Sequence, residues 1–339
     1  MIHIPVLQKE VLKYLDPKPN QNFIDCTIGE AGHTLAICSP LAKKSLAELN
    51  ILEKILPHGK VLGIDWSSEL IKSLEFKVKS LKLSRRLILV CDNFANLKEI
   101  VEREKFRPIQ GILFDLGMSS WHLEKSGRGF SFLRKEPLDM RYNSQNALTA
   151  EKIVNYWSES EIEKILREYG EERFSGKIAK EIVKERKAKP IKNTSQLIEL
   201  LKRAIPFRYQ HRKIHFATKT FQALRIAVNE ELKNLKEVLP QALEILKPGG
   251  RIVVISFHSL EDRIVKNFFR NRASGGSESK NIRSSLPFAA ARVDEEEDKV
   301  LFANQRFKIL TKKPIRPKEE EIKINPRSRS AKLRAILKT

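Results

Sequence analysis

The sequence contains little cysteine and no long hydrophobic run. Its 339 residues include three cysteines, Cys26, Cys38 and Cys91, which cannot form a disulfide framework and lack metal-ligand spacing. We therefore predict a reducing, cytoplasmic environment and no bound metal. The longest apolar runs, such as residues 251–257, have the length of a strand, whereas a membrane helix needs roughly 20 apolar residues. Residues 1–5 lack a basic region before an apolar run, so we expect neither a secretory signal nor a membrane partner.

Acidic residues are few relative to basic ones. The chain has 64 Lys and Arg against 42 Asp and Glu, a formal net charge of +22 at pH 7. Such an excess is typical of proteins that bind a polyanion, and nucleic acid is the commonest one. The alternative is that the charge only keeps the protein in solution. The 41% of hydrophobic and 31% of charged residues predict a folded, globular chain.

Two patterns of secondary structure share the chain. Up to about residue 131, four predicted strands (22–27, 60–65, 86–90 and 111–115) alternate with helices, which predicts a parallel sheet with helices on both faces. From about residue 148 the pattern is wholly helical, with a capping box at Ser158 and Glu161 and a further helix capped by Thr194. A long amphipathic segment over 221–246 and strands over 251–257 and 307–311 then follow. The helical block therefore reads as an insertion into one α/β domain.

Small and polar residues follow each of the predicted parallel strands. The loop Gly29–His33 follows the first strand, Asp65 ends the second, Phe94 follows the third and Asp115 ends the fourth. Ligands of open α/β sheets bind beyond the carboxyl ends of the strands, so these residues predict one crevice. For each, a plainer interpretation stays open: a tight turn for the loop, a solvated strand end for Asp65 and a core position for Phe94.

The second-strand acid favours a nucleoside-containing ligand. The carboxylate of Asp65 can accept hydrogen bonds from both ribose hydroxyls of a nucleoside. A dinucleotide is disfavoured, because the loop is not G-x-G-x-x-G and because Asp65 lies further along the chain than the roughly 20 residues of that fingerprint. A nucleotide-dependent oxidoreductase is therefore the weaker alternative.

Six distinctive segments are spread over nearly the whole chain: 114–120 (FDLGMSS), 127–132 (GRGFSF), 137–141 (PLDMR), 221–229 (FQALRIAVN), 256–263 (SFHSLEDR) and 325–334 (NPRSRSAKLR). Together they resemble one known family, the bacterial 16S ribosomal RNA cytosine-N4-methyltransferases (RsmH, formerly MraW). The resemblance implies a class I S-adenosylmethionine-dependent methyltransferase fold, a Rossmann-like sheet with an inserted all-helical domain. It implies a discontinuous donor-binding domain over 1–135 and 216–339, and a substrate-recognition domain over 136–215. The implied activity is methylation of the exocyclic N4 amine of one cytidine in the decoding region.

The resemblance also assigns residues to the S-adenosylmethionine site. Two positions depart from the family. Ala31 stands where many members have glycine, and His122 stands where the family usually has glutamine. The segment 37–58 is longer than usual, and we expect it to lengthen a surface helix. The implied contacts are Ala31, Gly32, His33, Asp65, Phe94, Asp115 and His122.

The catalytic group is less defined, because the chain lacks the Asp/Asn-Pro-Pro-Tyr/Phe motif of many amine methyltransferases. Asp139 could accept a hydrogen bond from the amine, and Arg141 could meet a phosphate or the cytosine carbonyl. The alternative for this pair is a structural ion pair, and for His258 it is a satisfied histidine at a strand end. The candidates are Asp115, Ser119, Ser120, Asp139, Arg141, Ser256 and His258.

RNA contacts are expected on the helical block. Lysines crowd residues 177–189, and residues 207–213 interleave aromatic side chains with cations, the combination that holds single-stranded RNA. The alternative is a solvated basic helix face. A basic segment over 326–334 adds to the charge. The predicted contacts are Lys180, Lys184, Arg208, Tyr209, Arg212 and Lys213.

The predicted partner is 16S rRNA in the small ribosomal subunit. A homodimer stays open, because the sequence gives no oligomeric state. A ribosome assembly factor that keeps the fold without catalysis is a further alternative, and the retained donor-site pattern argues against it. A Ser- and Gly-rich segment from residue 273, followed by the acidic run 294–298, predicts a long loop.

Overall fold

A computed structural model describes residues 4–35, 57–211, 214–274 and 306–339. The expected surface-helix extension over 37–58 and the loop over 273–298 fall almost wholly outside these ranges, as do Arg212 and Lys213. The chain divides into two compact units, Met1–Gly117 with Lys233–Thr339, and Met118–Leu232.

A seven-stranded sheet lies in the first unit. Its order is β3-β2-β1-β4-β5-β7-β6. Neighbouring strands from β3 to β5 are parallel, and β7 is antiparallel to both β5 and β6. The predicted α/β architecture with a parallel sheet is confirmed. The strands are β1 Phe23–Asp25, β2 Val61–Asp65, β3 Leu87–Cys91, β4 Gly111–Asp115, β5 Arg251–Ser256, β6 Phe307–Ile309 and β7 Lys332–Lys338.

Both faces of this sheet are buried, which explains why its strands read as continuous apolar runs. Successive side chains of a strand point to opposite faces, so neighbouring residues belong to different hydrophobic clusters. One cluster includes Ile24, Phe114 and Val254, and the other includes Phe23, Leu113 and Val253.

Helices account for most of the other described residues. In chain order they are α1 Gln8–Leu15, α2 Gly32–Leu35, α3 Ser68–Ser80, α4 Leu97–Arg103, α5 Ser120–Glu124, α6 Ala150–Tyr156, α7 Glu159–Glu168, α8 Ser175–Ala188, α9 Thr194–Ala204, α10 Phe207–Gln210, α11 Thr218–Asn229, α12 Glu231–Ile245, α13 Ser259–Ala273 and α14 Glu319–Ile324. A search of the described residues for a helix long and apolar enough to cross a membrane finds none.

The second unit is helical and has its own core. Buried residues of α7, α8, α9 and α11 meet there, among them Ile162, Ile178, Leu197 and Leu224. The predicted capping box at the start of α7 is confirmed. The cap predicted for α9 is wrong by one residue: the side chain of Asn193 accepts from the backbone N–H of Gln196, and Thr194 is the first helical residue.

The amphipathic segment predicted over 221–246 contains parts of two helices. Glu230 has a φ of 50° and ends α11, and α12 begins at the next residue. A left-handed residue breaks the helical hydrogen-bond ladder, while the apolar periodicity continues on either side of it. Hydrophobic spacing alone therefore could not reveal the break.

The basic segment near the C-terminus is also partly different from the prediction. Residues from Lys332 onward form β7, and Arg334 is only 7% exposed. Its Nε donates to Asp262 Oδ1 at 2.7 Å, and Lys332 Nζ donates to Asp262 Oδ2 at 3.1 Å. These two cations are therefore paired within the sheet and its neighbouring helix, which the sequence pattern did not indicate.

Candidate active site

The loop after β1 is held against two neighbouring strands. The Cys26 N–H donates to Leu113 O, and the Ile28 N–H donates to Ile64 O, both at 2.9 Å. The backbone then turns through two left-handed residues, Gly29 with φ 49° and Ala31 with φ 61°, before α2 begins. The side chain at position 31 is therefore held in a conformation that glycine adopts more easily.

Asp65 joins the end of β2 to this loop. Its Oδ2 accepts from the Gly29 N–H at 3.0 Å, and its Oδ1 accepts from the Ser67 N–H at 2.8 Å. Burial raises the pKa of Asp65 to about 6, against the opposing effect of these backbone donors. Each carboxylate oxygen has a second lone pair, so Asp65 can still accept from a ligand hydroxyl.

A buried acid that the sequence reasoning did not select lies at the end of β1. Asp25 is 2% exposed, and its Oδ2 accepts from the Thr34 hydroxyl at 2.8 Å. Burial is the main cause that raises its pKa to about 6. The available signal was its position, since Asp25 ends the first strand as Asp65 and Asp115 end the second and fourth.

His33 and Asp115 form the centre of the cluster. His33 is 5% exposed, and its Nε2 lies 3.4 Å from Asp115 Oδ2. Burial lowers the pKa of His33, but the carboxylates of Asp115, Asp25 and Glu321 outweigh burial and raise it overall. Among the described residues, His33 Nδ1 and Asp115 Oδ1 are buried without a hydrogen-bond partner. The cluster therefore presents polar atoms that can meet a ligand.

Phe94 opens a short 3-10 turn after β3. Its ring meets Phe114 edge to face, with centroids 6.0 Å apart and an interplanar angle of 84°. It is half-buried and packs against the sheet core, so it has both a core contact and an accessible part. This geometry accommodates either of the two interpretations of Phe94.

The end of β5 leads into two more candidates of the first unit. Ser256 is buried, and its Oγ has no hydrogen-bond partner among the described residues. The Nε2 of His258 lies 3.1 Å from Oε1 of Glu261, whose Oε2 accepts from the Phe257 N–H at 2.8 Å. Glu261 is a buried acid that the sequence reasoning passed over, although it follows His258 by three residues at the start of a helix.

Ser119 and His122 lie together in the second unit. Ser119 caps α5, and its Oγ lies 2.9 Å from His122 Nδ1. The imidazole is buried among the rings of Trp121, Phe130 and Tyr142, with centroids 5.3, 5.1 and 4.9 Å away. Three aromatic rings therefore enclose this imidazole within the second unit.

Asp139 and Arg141 pair with each other. Arg141 Nε donates to Asp139 Oδ1 at 2.8 Å, and Nη2 donates to Oδ2 at 2.7 Å. Its Nη1 donates to the carbonyls of Ser144 and Asn146. Burial raises the pKa of Asp139, but Arg141 outweighs burial and holds it below the ordinary value. Asp139 therefore stays ionised, in the ion pair that was one of its two predicted roles.

The predicted RNA contacts of the second unit differ in their surroundings. Lys180 and Lys184 are exposed on α8, and with Lys177 and Lys187 their spacing places them on one helix face. Arg173 and Arg208 contact the ring of Tyr209, with guanidinium carbons 5.6 and 5.0 Å from its centroid.

Another ring of the same segment is far more open. Phe207, which precedes Arg208, is 74% exposed. The structure thus shows an engaged tyrosine and an accessible phenylalanine, a difference that the sequence could not reveal.

Comparison with known proteins gives consistent results. The model of the MraW methylase family matches residues 1–339. A protein of Heliobacterium mobile named Ribosomal RNA small subunit methyltransferase H is 43% identical over 338 residues, covering 99% of this chain and 98% of that protein. One of the same name from Thermosipho melanesiensis is 43% identical over 333 residues, covering 98% and 96%.

A solved rRNA methylase of Streptococcus thermophilus is 11% identical and covers 100% of this chain and 98% of that chain, with a TM-score of 0.37. A TM-score that low supports no conclusion. The family match and the sheet order together confirm the predicted class I methyltransferase fold. Because the match spans the whole sequence and the relatives align over nearly their full length, this chain belongs to the MraW methylase family.

Proposed function

We propose that this chain transfers a methyl group from S-adenosylmethionine to the exocyclic N4 amine of a cytidine in the 16S rRNA of the small ribosomal subunit. The observation that carries the proposal is the family match over residues 1–339, with relatives named for methylation of small-subunit ribosomal RNA. The strand-end cluster of the first unit supplies side chains suited to that chemistry.

The methyl donor of the reaction is S-adenosylmethionine. When bound, it would supply an electrophilic methyl group on a sulfonium centre. The S–C bond would break to leave a neutral thioether as the amine forms the new N–C bond and releases one proton to solvent. The residues present fit its polar groups. Asp65 has lone pairs for ribose hydroxyls, and His33 and the turn from Gly29 to Gly32 complete the cluster.

Positioning supplies most of the acceleration in this proposal. Aligning two bound reactants contributes about 7–11 kcal/mol, whereas a general base adds only about 10²–10⁴-fold in rate. The cytosine amine shares its lone pair with the ring, so an acceptor that bonds its N–H groups helps to localise that pair. Among the candidates, we assign this role first to Asp115 and next to His258, because each has a buried polar atom without a partner among the described residues.

The remaining candidates take supporting roles in the proposal. Both carboxylate oxygens of Asp139 already accept from Arg141, so this pair maintains the local backbone conformation. Ser119 orients His122 through the 2.9 Å contact.

The second unit contains the proposed substrate-recognition domain, 136–215, and the proposed donor-binding domain, 1–135 with 216–339, contains the first unit. Two exposed lysines of α8, Lys180 and Lys184, provide phosphate contacts in this proposal, and exposed Arg208 provides another. Tyr209, engaged by two guanidinium groups, stabilises that surface. We propose that the protein acts in the cytoplasm, where its ribosomal substrate lies. Sedimentation analysis distinguishes a monomer from a homodimer.

The test is transfer of radioactive methyl from S-adenosylmethionine to assembled small subunits and to deproteinised 16S rRNA, followed by mass spectrometry of the modified nucleoside. We expect incorporation into one cytidine as N4-methylcytidine. Incorporation into another base or atom would contradict the assignment of the acceptor. A protein that binds subunits without any transfer would instead be an assembly factor, and binding of NAD without S-adenosylmethionine would indicate an oxidoreductase.

A further inference from the structure

The ring of His215 is held in place by aromatic neighbours on the surface of the second unit. It stacks on Phe132 with centroids 4.5 Å apart and an interplanar angle of 8°, and it also contacts Phe216 at 4.4 Å and 28°. Phe132 in turn meets the buried ring of Phe221 edge to face at 5.7 Å. An exposed imidazole is thereby fixed in orientation by contacts that lead to the core.

The tautomer of this imidazole is also determined. The backbone N–H of Ala217 donates to His215 Nδ1 at 3.2 Å. A nitrogen that accepts a hydrogen bond carries no proton, so the proton of the neutral ring is on Nε2. Partial burial, followed by the charge of Lys202, lowers the pKa of His215. The ring is therefore neutral near pH 7 and presents one donor, Nε2–H.

We propose that His215 is a specificity-determining residue whose Nε2–H donates to an acceptor on the base edge of an unpaired cytidine. This inference rests on the proposed function and deepens it. Both pyrimidines present an acceptor at O2, and uracil presents another at O4, but at N3 cytosine has an acceptor and uracil a donor. A fixed donor that meets N3 therefore favours cytidine, because uridine would place two donors against each other there.

A base edge fits this site better than a phosphate does. An imidazole that binds phosphate gains from being protonated, and partial burial, followed by the charge of Lys202, opposes that protonation. A neutral, planar donor stacked among aromatic rings matches the way unpaired RNA bases are recognised, by stacking and by hydrogen bonds to their edges.

The experiment compares binding of single-stranded oligocytidine and oligouridine of equal length, measured by fluorescence anisotropy at one salt concentration. His215→Phe keeps a ring on Phe132 and removes the donor, and His215→Gln keeps an N–H donor. The matched control is His58→Phe, at an exposed histidine of the first unit. Circular dichroism verifies that each variant is folded.

We expect the wild type to prefer oligocytidine, and His215→Phe to lose about 2- to 10-fold in affinity for it and to show no preference. His215→Gln should retain the preference, and His58→Phe should behave as wild type. Nitrogen chemical shifts of the His215 ring should show the proton on Nε2. A preference that survives in His215→Phe, a wild type with no preference, or a proton on Nδ1 would each overturn the inference. Methyl transfer by the wild type is measured separately, so a failure here is distinguishable from failure of the proposed function.

Discussion

At the scale of single residues, the cluster at the ends of β1, β2 and β4, which we propose binds the methyl donor (the donor cluster), consists largely of buried and half-buried carboxyl groups. Asp25 and Asp65 end neighbouring parallel strands, and burial raises the pKa of each to about 6. A fold keeps such groups when their charge, or their hydrogen bonds, serve a ligand. Two consequences can be measured.

The first concerns the stability of the protein as a function of pH. Because the folded-state pKa of Asp25 is about 6 and its ordinary value is 3.8, the folded state binds more protons between these values, and stability falls as pH rises through that window. The loss amounts to about 3 kcal/mol and is complete above pH 6. Asp25→Asn should remove this part of the slope in urea unfolding measured from pH 4 to pH 7. Identical slopes in variant and wild type would contradict the assignment.

The second concerns affinity for the methyl donor. Asp65→Asn removes the charge and one acceptor oxygen, and it places an NH2 donor against the N–H group of either Gly29 or Ser67. Loss of charged hydrogen bonds of this kind should weaken S-adenosylmethionine binding by about 10- to 100-fold in calorimetry. Asp92→Asn is the control, because Asp92 follows the next strand and bonds locally to Asn93 and Asn96. Equal affinities for the two variants would exclude Asp65 from the site.

At the scale of secondary-structure elements, the chain's two ends are tied together beside the donor cluster. The Leu7 N–H, at a residue with φ 52°, donates to Glu321 Oε1 of α14 at 2.8 Å. Asn325 Nδ2, just after that helix, donates to Ile4 O at 3.1 Å. Glu321 also contributes to the raised pKa of His33. A short C-terminal helix therefore stabilises the segment that precedes α1.

Removal of this contact should destabilise the protein. Glu321→Ala leaves the buried Leu7 N–H without its acceptor, which costs about 1–3 kcal/mol. The adjacent Glu320 is exposed, and Glu320→Ala should change stability by less than about 0.5 kcal/mol. Urea unfolding at pH 7 measures both. An equal effect of the two substitutions would show that α14 contributes through its helix alone.

At the scale of the whole molecule, the excess of 22 positive charges is not evenly available. Lys332 and Arg334 pair with Asp262 inside the first unit, whereas the lysines of α8 are exposed on one helix face. Exposed, unshared cations release counterions from RNA when they bind it, and paired ones do not. The positions of the exposed cations therefore predict RNA binding better than the net charge of the chain does.

Salt dependence tests this distinction. Replacing Lys180 and Lys184 together with Gln should reduce the slope of log affinity against log salt by about 0.7 per lost phosphate contact on single-stranded RNA. Lys72 and Lys79 are exposed on α3, and their double replacement removes the same charge. Affinity is measured with one RNA oligonucleotide at several salt concentrations. If the two double variants lose equal slope, net charge alone governs binding.

Local patterns in the sequence were sufficient for the parallel strands, the strand-end residues and the family. A run of apolar residues shows by itself that a strand is buried, because the signal lies in a few neighbouring residues. The family motifs are likewise contiguous segments of the chain. The turn at Gly29 and Ala31 follows from the same local information. For this reason the predicted strands from β1 to β5 lie within two residues of the observed ones at either end.

Only the tertiary structure decided what depends on residues far apart in the chain. It pairs Arg334 with Asp262, orients His33 towards Asp115, and stacks the ring of His215 on Phe132. The physical reason is that an ion pair, a pKa or a ring contact depends on the groups that surround it in space, and packing brings those groups together from segments whose local patterns carry no information about one another.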